Sequence, residues 1–162
     1  SPSLKAYGKL RRGRGFPFHE LDLNWRPSHA YLPGKNTRHS DGVFDQFKPD
    51  LSISDEELGN CIAWNIGQVF FREEYYWEAH EVWEAVWMLL DQGSASRALV
   101  RSLIQLTNAG LKGKMGRKRA QARLLDLAKT ACPDFNPPEI LGFTQESWND
   151  FYCQASGSVP HV

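Results

Sequence analysis

An all-α fold, a compact antiparallel bundle of about five helices wrapped by an extended N-terminal arm, is what this sequence predicts. Three observations carry the prediction. From Ser54 onward the apolar residues recur at the three-to-four spacing of amphipathic helices. No stretch alternates polar and apolar residues for the length of a useful strand. Short breaks containing Gly or Pro separate the helical stretches, which favours antiparallel neighbours. A chain of 162 residues, 41% of them hydrophobic and 12% aromatic, is long enough for one domain with a genuine core. The expected division is an arm over 1–50, a helical bundle over 51–153 and a tail over 154–162.

The arm is rich in proline and glycine and holds no sustained period. "YLPGKNTRHSDG" is turn chemistry, with Pro33-Gly34 and Asp41-Gly42 as breakers. Phe16, Phe18, Trp25, Tyr31 and Phe44 are expected to anchor it, because disordered segments are poor in aromatic residues. "SDEE" opens the first helix as a capping box, Ser54 at N-cap and Glu57 at N3, and this helix is expected to run to Phe71. A second covers Glu74–Leu90 and stops at "DQGS". A third runs from Ala95 to Leu111, where "KGKMG" breaks it. A fourth follows from Arg117 to Ala131, ahead of Pro133. Thr144 starts a short final helix.

Net charge is zero, yet the charges are blocked: residues 1–40 carry eight bases and two acids, 41–91 two bases and twelve acids, and 92–129 nine bases and one acid. Such blocks either neutralise one another in the fold or offer a basic face to an anionic partner. "KGKMGRKRAQAR", residues 112–123, concentrates Lys112, Lys114, Arg117, Lys118, Arg119 and Arg123 around one helix start. It lacks the pattern of a P-loop, and "RRGRGF" has no RNA-binding motif beside it. With zero net charge, nucleic acid is not the expected partner. The longest apolar run is far too short for a bilayer and the start holds no secretory apolar segment, so no membrane association is expected. Cys61, Cys132 and Cys153 are odd in number and widely spaced, which reads as reduced thiols and a cytoplasmic location.

The chemistry concentrates in "YYWEAHEVWEAVW", Tyr75 to Trp87, where His80, Glu81 and Glu84 lie among tryptophans and tyrosines. Burying an unpaired charge costs several kcal/mol, so such groups must be paired, lie at the core's edge, or be used. With about 100° per residue and His80 at zero, Glu84 falls at about 40°, Trp87 at about −20° and Trp83 at about −60°. His80 and Glu84 are thus a polar spot inside an aromatic face, with His80 expected to be mostly buried and within hydrogen-bond or shared-ligand reach of Glu84. Three readings follow: a structural hydrogen bond, a divalent metal ion held by His80 and Glu84, or acid–base catalysis by His80, Glu84 and Glu81 without metal. "HEVWE" has Glu84 where a zinc protease has its second histidine, and no third ligand follows, which excludes the protease reading. Arg101, Gln105, Asn108 and Lys112 form a stripe on the next helix. Gln105 and Asn108 could complete the shell around the pair, and His39 of the arm could reach in to help hold a cofactor.

"YYWEAHEVWEAVW" followed by "LIQLTNAGLKGKMGRKRAQARLL" resembles the bacterial and archaeal domain-of-unknown-function family 309 between Leu58 and Leu127. Its H-x-x-x-E-x-x-W/Y signature is matched by His80, Glu84 and Trp87, while Arg101 and Ser102 depart from its usual third-helix pattern. The resemblance implies an all-helical fold and a metal-binding motif, without a reaction. The functions that stand open are a metal-dependent, hydrolase-like or acid–base enzyme on a small-molecule ligand, a non-catalytic helical interaction module, and a nucleic-acid binder using the basic turn.

Overall fold

Helical periodicity in the sequence becomes six α-helices in the computed structural model, which describes residues 21–49 and 54–158. They are α1 (Asp55–Leu58), α2 (Ile62–Arg72), α3 (Tyr76–Leu89), α4 (Ala95–Lys114), α5 (Lys118–Ala131) and α6 (Gln145–Ala155). Among the described residues no strand forms; Ile140 and Phe143 make one isolated bridge. None of these helices is long and apolar enough to cross a membrane.

The first expected helix is two. Ser54 does cap its start, its Oγ accepting from the Glu57 N–H at 3.2 Å. The chain then leaves helical geometry, with Cys61 extended at φ −70 and ψ 134. Asn65 Nδ2 donates to the Gly59 and Cys61 carbonyls at 3.0 and 2.9 Å, replacing backbone partners lost at the break. The apolar period runs on through this break, so the sequence pattern does not mark it. Helix α4 also continues a turn past Leu111, because Gly113 packs beneath Gln121 of α5. The stop is Gly116, at φ 75, which any side chain would strain. Thr144 and Ser147 form a complete capping box for α6, which ends at Ala155, two residues beyond the bundle boundary placed at Cys153.

Helix α4 is the central element, packed on α3, α5 and α6, while α2 lies against α3. Two glycines set these approaches. A Cβ on Gly67 of α2 would lie 2.2 Å from Trp83 Nε1, and one on Gly110 of α4 would lie 2.6 Å from the Tyr76 ring. Both rings of α3 therefore rest on bare backbone. The Trp83 indole N–H donates to the Trp64 carbonyl at 3.2 Å, closing the one polar group that its burial would strand.

The arm forms the outer wall of α3. Leu23, Phe44 and Phe47 are buried, and Trp25 packs edge-on against Phe44, Phe47 and Phe70. Arg26 grips Glu73 with two bonds, Nε to Oε1 at 3.0 Å and Nη2 to Oε2 at 2.7 Å. The expected anchors Trp25, Tyr31 and Phe44 all make ring contacts with the body or one another; Phe16, Phe18 and "RRGRGF" lie outside the described residues. All three cysteines are free, and burial pushes the Cys61 and Cys132 thiols up, which keeps them protonated near neutral pH.

Candidate functional site

Helix α3 is clamped on both sides. Ala79, Val82, Trp83 and Val86 are fully buried toward the bundle. On the opposite side Trp77 meets Tyr31, His39 and Phe44 of the arm, with ring centroids 5.2, 5.8 and 5.9 Å apart. The double clamp explains why the segment is apolar almost all round. It also buries a carboxylate that sequence reasoning passed over. Glu78 is 0% exposed, and its Oε2 accepts from the Tyr31 N–H at 2.8 Å and meets His39 Nε2 at 2.6 Å. Its Oε1 has no hydrogen-bond partner among the described residues.

His39 therefore does not go where the sequence sent it. Instead of reaching His80 and Glu84 it is held at Glu78, nearly buried, with the His29 ring stacked on it at 4.5 Å. His29 in turn donates through Nε2 to the Thr37 carbonyl. A signal existed: a glutamate between Trp77 and Ala79 on a helix apolar almost all round needs a partner. What the sequence lacked was the path of the arm.

His80 lies in the seam between the bundle side and the arm side of α3, and this decides its exposure. Its side chain is 26% exposed and that of Glu84 50%, so His80 is the more enclosed of the two. The imidazole stands between two carboxylates, with Nε2 3.5 Å from Glu84 Oε2 and Nδ1 3.8 Å from Glu81 Oε1. Glu81 Oε2 is also 3.7 Å from Lys48 Nζ of the arm. These separations exceed ordinary hydrogen-bond lengths, so the group is not a buried structural tie. Trp83 and Trp87 flank it on the helix, as the spacing predicts.

Gln105 and Asn108 make no hydrogen bond to His80, Glu81 or Glu84 among the described residues. The antiparallel register of α3 and α4 is fixed at two points, Tyr76 on Gly110 and Arg97 over Trp87. Between them, Gln105 falls level with His80 and Arg101 level with Glu84. Both Gln105 and Arg101 border a cavity between α3, α4 and α5.

Of the basic turn, Lys114 reaches the acidic block, pairing with Glu74 at 2.9 Å. Arg117, Lys118, Arg119 and Arg123 are exposed and form no ion pair among the described residues, so neutralisation by the acidic block holds for Lys114 only. Lys118 and Arg119 also open α5, where positive charge opposes the macrodipole. Replacing both with Glu is expected to raise stability by about 0.3–1 kcal/mol each, read as a shift in urea midpoint. A loss of stability would show that these side chains hold partners.

The arrangement defines a class: a helical-bundle protein with a histidine–carboxylate cluster on the helix at its aromatic centre. Residues 64–124, from α2 into α5, match the family model described as "Domain of unknown function (DUF309)". No curated protein and no solved structure matches the chain.

Proposed function

We propose that His80, Glu81 and Glu84 hold a divalent metal ion and that the protein is a metal-dependent, hydrolase-like enzyme acting on a small molecule. The observation that carries this is the donor set. One imidazole nitrogen and one oxygen from each carboxylate all lie within 4.8 Å of one another. Donors about 2.1 Å from a common ion are at most about 4.2 Å apart, so modest side-chain adjustment brings all three together. The cluster is partly exposed, which leaves room for water and substrate beside the donors.

A bound ion supplies a water of lowered pKa and a Lewis acid for an oxygen of the substrate. The chain's own contribution is orientation. Lys48 draws on one oxygen of Glu81, leaving the other toward His80. Helix α3, clamped on both sides, fixes the three backbone positions. A second reading has support in the same geometry. An imidazole with a carboxylate facing each nitrogen can carry a proton from one side of the ring to the other, which is acid–base chemistry without metal.

Calorimetric titration of tag-free protein with Mn²⁺ separates the two. This ion favours oxygen and imidazole donors, which sidesteps the three free thiols. Saturable binding is expected, and His80→Gln should weaken it by at least about tenfold while costing stability about 1 kcal/mol or less. Absence of binding to the unmodified chain, or equal binding by the variant, would overturn the metal reading.

A further inference from the structure

We infer that the cavity between α3, α4 and α5 binds a small organic anion, a phosphate or carboxylate joined to a flat apolar group. Its volume of about 610 Å³ is that of a small-molecule site. Trp87, Leu127 and Ala98 supply apolar surface, Arg97, Arg101 and Gln105 supply donors, and no acidic side chain lines it. A pocket with two guanidinium groups and no carboxylate selects for negative charge.

The two arginines differ in a way that suits recognition. Arg97 is fixed: its guanidinium lies 4.0 Å over the Trp87 ring, and Nη1 donates to the Leu90 and Trp87 carbonyls at 2.7 and 3.2 Å. Nε and Nη2 have no hydrogen-bond partner among the described residues and are left for an anion. Arg101, one turn further along α4, is exposed and has no ion-pair or hydrogen-bond partner among those residues. The start of α4 at Ser94 lines the same end of the cavity and adds the positive end of a 20-residue helix. The far wall is the C-terminal turn of α5 at Thr130 and Ala131, whose dipole has the opposite sign, so the anionic group belongs at the α4 end. The helix register sets Arg101 of this cavity level with Glu84 of α3. Calling the anion a substrate rests on the proposed role of His80; its binding does not.

The test is calorimetry on the full chain in EDTA, with phenyl phosphate, phenylacetate, inorganic phosphate and phenol as separate probes. One or both aryl anions should saturate with a Kd of about 1 mM or tighter. Arg101→Gln should weaken that binding by about tenfold or more, the worth of a charge-assisted hydrogen bond. Neutral phenol should not saturate, and which aryl anion binds tighter names the head group. A chain that takes no Mn²⁺ yet holds phenyl phosphate keeps this inference and loses the metal reading. Failure of both aryl anions to saturate, equal affinity in Arg101→Gln, or inorganic phosphate binding as tightly as phenyl phosphate would each overturn it.

Discussion

Replacing Glu78 with alanine is expected to cost about 3–5 kcal/mol of stability, because it strips the partner from buried polar groups. The carboxylate is inaccessible to water, accepts the Tyr31 N–H and meets His39 Nε2 at 2.6 Å. A contact that short needs a proton between the two side chains, carried by the imidazole or by the carboxyl. Removing the carboxyl leaves the Tyr31 amide and the His39 ring buried without an acceptor. Glu78→Gln is the control: it keeps an acceptor for the amide and is expected to lose only about 1–2 kcal/mol. Urea denaturation of both variants reads the difference. An alanine variant within about 1 kcal/mol of the parent would mean that the arm does not depend on this carboxylate.

The second large effect is expected at Gly67. Alanine there would place its Cβ 2.2, 2.5 and 2.7 Å from three atoms of the Trp83 indole. The ring cannot step aside, since it is fully buried and its N–H is bonded to the Trp64 carbonyl. Helices α2 and α3 must separate instead. Overpacking of this kind costs about 1–3 kcal/mol and sometimes more, against which alanine's better helix propensity returns about 1 kcal/mol. A net loss of about 1–2 kcal/mol is expected, with a change in tryptophan emission as Trp83 leaves its site. The comparison is Gly59→Ala, where a Cβ meets no atom nearer than 3.7 Å. If the two variants were equally stable, the close approach of α2 and α3 would be disproved.

Much of this architecture is legible in the residues. The N-cap residues Ser94 and Thr144 act through side-chain bonds within their own turn, so a local pattern suffices to place α4 and α6. The break at Gly59–Cys61 is different, because the partner closing it is Asn65, a residue the helical pattern absorbs without comment. At the site, His80 and Glu84 are one helical turn apart, so their proximity follows from spacing alone. The His39–Glu78 pair spans 39 residues and depends on how an aperiodic arm crosses α3. No local rule encodes that path. The seam beside His80 and Glu84 is hidden from the sequence for the same reason: only the line taken by the arm reveals it.

The clamped helix has a consequence for any molecule that meets this protein in solution. Of the residues of α3, Glu84 and Met88 alone are exposed, with Trp77, His80, Glu81, Ala85, Trp87 and Leu89 partly so. The most ring-rich helix of the chain thus turns fully outward only a carboxylate and a thioether. Most of its ring surface is spent on the arm and the bundle, so a visitor meets this helix chiefly along the narrow strip of Glu84 and Met88, with the imidazole at its edge.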